Sequence, residues 1–164
     1  EDFVNYQKLG IQGIAVGALN EQRSLDISFL KRLRMLTPNI ELTFHKAFDD
    51  IDNWQKALEE LISMKFDRIL TAGCNVNVFK GKERLKEIIE FASGRIQILP
   101  GGGINPENIG EIIEFLKPSA LHFSGAKKQR RDKSKYYNSE ILFVDEEKLK
   151  LLIDSSLRLS KLTT

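Results

Sequence analysis

At 164 residues, with 41% hydrophobic and 29% charged side chains, the chain is long and apolar enough to bury the core of one domain, 1–164. Twenty-five Lys and Arg against 23 Asp and Glu leave a formal charge of +2, which excludes a global electrostatic pull toward nucleic acid or anionic lipid. A single cysteine, Cys74, excludes an internal disulfide and a cysteine-cluster metal site and suits a reducing cytoplasm, and no apolar run reaches membrane-spanning length.

In chain order, "DFVNYQKLG" predicts a helix ended by Gly10, and "IQGIAVGAL" (11–19) a buried strand. "LDISFLKRLRML" puts Ile27, Leu30, Leu33 and Leu36 on one helical stripe ahead of Pro38. "IELTFHKAF" (40–48) is the second strand, with Leu42 and Phe44 on one face and Thr43 and His45 on the other. A helix follows over "NWQKALEELISM", with Asp50 and Asp52 at its positive end. The third strand is "FDRILTAGC" (66–74), read with Thr71 and Gly73 on the face opposite Leu70, Ala72 and Cys74. "KERLKEIIEFAS" predicts a helix stopped by Gly94, and "RIQILPGGG" (95–103) a fourth strand. Asn105 and Pro106 open the next predicted helix as cap and first helical residue. "SALHFSGA" (119–126) is the fifth strand, with His122 and Ser124 on one face, and a last helix starts at about Asp145.

Strand and helix alternate every ~28 residues, which means parallel strands joined by crossovers. No glycine fingerprint follows the first strand, so an open dinucleotide-binding sheet is disfavoured. The fold class is therefore α/β, a (β/α)8 TIM barrel present as a partial barrel of about five parallel strands with flanking helices; a full barrel takes roughly 250 residues. An arc of strands has two unpaired edges, so the expectation is closure by residues absent from this chain or a homo-oligomer.

Counted this way, Gly101, Gly102 and Gly103 follow the seventh barrel strand, where backbone N–H groups commonly grip phosphate. Glycines admit close approach of an anion and the positive φ that such nests use. Both histidines, His45 and His122, fall at carboxyl ends of strands, where barrels keep their chemistry; with Asp49 they are the acid, base or metal candidates. A strand histidine equally completes a core hydrogen-bond network. Thr71, Gly73 and Ser124 join the candidate ligand-binding set. The run "KKQRRDKSKYY" (127–137) is a solvated mobile loop, a cationic lid offering Arg130 and Arg131 to an anion, or a nucleic-acid contact.

Four ordered motifs, "TFHKAFD" (43–49), "FDRILTAGC" (66–74), "RIQILPGGGI" (95–104) and "LHFSGA" (121–126), resemble the CutC copper homeostasis family. The resemblance implies a carboxyl-terminal portion of a cytoplasmic barrel linked to copper tolerance, with copper(I) binding in some members and no assigned reaction. His45, Asp49, Thr71, Gly73, Cys74, Gly101, Gly102, Gly103 and His122 match its recurring motifs. The copper cysteines that the family implies lie in strands this chain lacks, and Phe123 stands where the family has a small residue or cysteine. Copper(I) prefers thiolate and thioether donors, whereas a site made from this chain alone relies on His45, His122 and Asp49, a set better suited to zinc or copper(II), with Cys74 as a further metal candidate. Three function classes stand: copper handling, a barrel enzyme acting on a phosphorylated small molecule, and a nucleic-acid binder.

Overall fold

The computed structural model describes residues 10–130 and 140–160. The helix expected before Gly10 lies outside them. Four strands, β1 (Gly13–Val16), β2 (Glu41–Phe44), β3 (Arg68–Thr71) and β4 (Gln97–Pro100), form one parallel sheet in sequence order. Each new strand adds to the same edge: Ala15 lies opposite Thr43, Phe44 opposite Ile69, and Ile69 opposite Ile98. A doubly wound sheet reverses its order at a switch point, whereas a barrel winds one way. The molecule is accordingly an arc of a (β/α)8 barrel.

The connections are α1 (Ile27–Leu36), a 3-10 turn (Lys46–Asp50) leading into α2 (Trp54–Ser63), and α3 (Val78–Ala92), with α4 (Ile109–Leu116) after β4. Side-chain oxygens start most of them: Asp26 accepts from Phe29 N–H, Asn53 from Lys56 N–H and Asn77 from Lys80 N–H. The third helix thus starts at Val78, four residues before the expected Lys82, with Asn77 as its cap. Asn105 caps a separate turn through the Glu107 and Asn108 N–H groups, and α4 begins only after Asn108.

Two expectations need correction. The fifth strand shrinks to one parallel bridge, Gly101 to His122, held by His122 N–H on Pro100 O at 2.9 Å. It has β4 on one side and no strand on the other among the described residues. The segment from 127, read as a mobile loop, begins as β5 (Ala126–Arg130), which pairs antiparallel with β6 (Glu140–Val144) ahead of α5 (Glu146–Ser160). Residues 131–137 of that segment, Arg131 among them, lie outside the described residues.

Leu42, Phe44, Ile69 and Ile98 point from the sheet into the helices, against Leu30, Leu58, Leu61, Leu85, Ile88 and Ile112, all buried. The opposite, inner face carries a polar belt. Arg68 pairs with Glu41 at 2.8 Å and donates to Gln97 Oε1 at 2.8 Å; Gln97 reaches Ser119. This belt sets the register of β3, with Arg68 and Leu70 inward and Ile69 and Thr71 toward the helices. The expected placement of Thr71 inward and Leu70 outward is therefore reversed. The run 66–74 is apolar on both sides, so alternation alone could not choose.

α3 sits so close to the end of β3 that a side chain at Gly81 would lie 1.9 Å from Ala72 O, whereas at Gly110 in α4 nothing stands within 4 Å. Glycine to alanine normally favours a helix by about 1 kcal/mol. Gly81→Ala is expected to destabilise by about 1–3 kcal/mol through overpacking, and Gly110→Ala to stabilise by about 0.5 kcal/mol. Urea unfolding of the two variants checks the opposite signs.

Candidate functional site

Four chain segments meet above the carboxyl ends of β1 to β4. β2 runs straight into the 3-10 turn, and His45 begins that turn: its N–H donates to Val16 O at 2.9 Å, and its Nδ1 accepts the Ala47 N–H at 3.0 Å. The imidazole lies over Gly17, where any Cβ would come within 2.0 Å of the ring. Only glycine leaves room for it there.

One turn on, the Asp49 carboxylate reaches across to the end of β3. It accepts the Thr71 hydroxyl, the Ala72 N–H at 3.0 Å and the Cys74 N–H at 2.9 Å. Thr71 Oγ1 in turn accepts the Gly73 N–H at 2.9 Å. Thr71 and Gly73 are thereby buried in the scaffold.

Lys46, between the histidine and the aspartate, lies 3.7 Å from Asp49 Oδ2 and rests its ammonium against the glycine loop, 2.9 Å from where a Gly102 side chain would start. That loop is bound from behind: Gly101 N–H donates to Thr71 O, Gly102 O accepts Val78 N–H at 2.9 Å, and Gly103 O accepts Asn108 Nδ2 at 2.9 Å. Gly102 and Gly103 have φ of +116° and +74°, in the region that favours glycine. Among the described residues their own N–H groups have no protein acceptor.

A cleft of about 810 Å³ opens beside this arrangement, lined among others by His45, Lys46, Asp49, Asp50, Leu70 and Cys74. His122 and Ser124 are exposed beside β4; His122 is three strand positions from His45, roughly 14 Å along the sheet. Ser124 Oγ accepts the Ala126 N–H at 3.1 Å, which starts β5. The structure thus gathers His45, Asp49, Cys74 and, through Lys46, the glycine loop, but leaves His122 and Ser124 apart. Among the described residues no three His, Cys, Asp or Glu side chains come together to hold a metal ion. Copper does not fit the donors present here. Lys46 and Gly17 carried no role in the sequence reading; the proximity of Lys46 to His45 in "FHKAF" and the glycine of "VGAL" were the available signals.

The Cys74 thiol is pushed up to about 11 by burial and by the Asp49 charge, which Arg84 offsets only in part. It is therefore a neutral thiol near pH 7, a poor donor for soft metals. A raised pKa favours the folded state below the unfolded value and withdraws that support as pH climbs to the folded one. Stability is expected to fall between pH 9 and about 11, a segment missing in Cys74→Ala, with Asp49→Asn moving the thiol titration downward. Thiolate absorbance and urea midpoints across this range check both.

Comparison with known proteins follows this geometry. The CutC family profile matches residues 1–127. A CutC family protein of Histophilus somni is 37% identical over 141 residues, covering 86% of this chain and 57% of the relative. The human copper homeostasis protein cutC homolog is 36% identical over 132 residues, 80% of this chain and 48% of that protein. The chain spans about half the length of the curated relatives it matches. Among solved structures, the CutC protein of Streptococcus agalactiae superposes with a TM-score of 0.70 at 27% identity, over 74% of this chain and 60% of that one. Thiamine phosphate pyrophosphorylase of Pyrococcus furiosus, with a TM-score of 0.62 at 14% identity over 96% and 65%, shares the fold alone. By profile, identity and architecture, the chain belongs to the CutC family.

Proposed function

We propose that this chain acts in copper homeostasis in the cytoplasm, and that it does so by binding a small anionic ligand in the cleft above β2, β3 and β4. Relatives named for copper homeostasis supply the process. The ligand class rests on one observation, the Lys46 ammonium seated against Gly102 beside two N–H groups with no acceptor among the described residues. A cation next to a positive-φ glycine pair is how backbone nests take phosphate or carboxylate. In this reading residues 1–164 are one unit of a CutC-like barrel, whose open sheet edges are closed by further strands or by a second copy. Sedimentation equilibrium of the chain alone tests that part, and a cooperative monomer speaks against it.

Direct copper(I) binding, the reading the family name invites, finds only Cys74 as a cleft sulfur. An enzyme acting on a phosphorylated small molecule would use the same cleft, since His45 lines it together with Lys46. The nucleic-acid reading gains no support from the described part of the basic segment, where Lys127 lies 3.9 Å from Asp145.

Calorimetric titration with inorganic phosphate tests the anion reading. Lys46→Ala is expected to weaken phosphate binding by about tenfold or more, the worth of one charge-assisted contact. Gly102→Ala, which drives a methyl toward the ammonium, should act in the same direction. Equal affinity in the wild type and Lys46→Ala removes the proposal.

A further inference from the structure

We infer that His45 serves this cleft as a hydrogen-bond donor through its Nε2–H, so that His45 and Lys46 form a donor pair selecting a phosphate-class oxyanion over a metal cation. The inference rests on the anion reading above and assigns the specificity of that site to a named proton.

A ring nitrogen that accepts a hydrogen bond carries no proton, so the Ala47 N–H on Nδ1 places the single proton of a neutral imidazole on Nε2. The backbone enforces this choice. Ala47 N–H is a donor of the 3-10 turn with no turn carbonyl to reach, and His45 is its cap. Val16 O fixes the His45 backbone, and Gly17 lets the ring lie flat in one place. Turning the ring over would put a ring carbon against the Ala47 N–H and abandon the cap.

A metal ion binding Nε2 needs the lone pair of that nitrogen, which requires the proton to move to Nδ1. Two donors would then face each other at the 3.0 Å now spanned by one hydrogen bond. Nδ1 itself is occupied by Ala47. Both nitrogens are therefore set against ligation, and the adjacent Lys46 adds a positive charge that a cation would meet. The carboxylates do not reverse this. Asp49 is engaged with Thr71, Ala72 and Cys74, and Asp50 stands exposed. What the pair offers a ligand is two donors, which an oxyanion accepts.

The test uses the full chain, nitrogen-15 NMR of its histidine rings, and inorganic phosphate. The wild-type spectrum should show His45 with Nδ1 unprotonated and Nε2 protonated. Asn at position 45 can still cap Ala47 through its amide oxygen but lacks the outer donor; His45→Asn should weaken phosphate by about tenfold, as loss of one contact to a charged ligand implies. His45→Gln, whose amide reaches toward the Nε2 position, should recover most of that loss. A proton found on Nδ1, stoichiometric Zn2+ shifting the His45 ring signals, or His45→Asn binding phosphate like the wild type each overturns the inference. If Lys46→Ala still weakens phosphate in the last case, the anion reading survives without it. A wild type that ignores phosphate ends both.

Discussion

The Asp49 carboxylate joins the exit of β2 to the exit of β3, and the site has its shape because of that junction. Two of the three groups it accepts are backbone N–H donors and one is the hydroxyl of Thr71. A carboxylate this enclosed is costly to desolvate unless its lone pairs are filled, and here three donors fill them. The same contacts hold Cys74 at a positive φ of 54°, which a non-glycine residue keeps only under outside constraint. Lys46, held near the clasp by Asp49, is left pointing at the glycine loop. Remove the carboxylate, and the turn, the bend after β3 and the direction of the lysine lose their common anchor.

The inner face of the sheet follows a different logic from the outer one. Outward, apolar side chains meet helices. Inward, near the amino-terminal ends of the strands, Glu41, Arg68, Gln97 and Ser119 form a chain of polar contacts across three strands to the segment after α4. Such a chain ties neighbouring strands side to side without occupying the mouth. The mouth is thereby left to residues that follow the strands: His45, Lys46, Cys74 and the three glycines. This division, support at one end and chemistry at the other, is the usual one in parallel barrels.

Much of the architecture was legible in the chain. The alternation of Leu42 and Phe44 with Thr43 and His45, and the stripes through Leu30 and Leu33 or Leu85 and Ile88, report one-sided burial directly. Thr71 was misplaced because the 66–74 run is apolar on both faces, and its register is decided by Arg68 reaching Glu41 on another strand, a contact that local periodicity does not encode. The fifth strand was overread for a related reason: "LHFSG" has strand composition, but it makes only a single bridge to β4, and composition does not encode how many partners a segment finds along its neighbour. Lys46 was invisible as a site residue because its role comes from lying against a glycine 56 positions later. Gly17 was overlooked since its function is to be absent where a ring must lie.

The first N–H of α3, at Val78, is spent on the carbonyl of Gly102. In a trans peptide the carbonyl and the following N–H point in opposite directions, so anchoring that oxygen toward α3 turns the Gly103 N–H away from it. The positive pole of the helix also polarises the shared amide, making its far hydrogen more acidic in character. Thus the helix dipole is relayed through one peptide plane to the far side of the glycine loop.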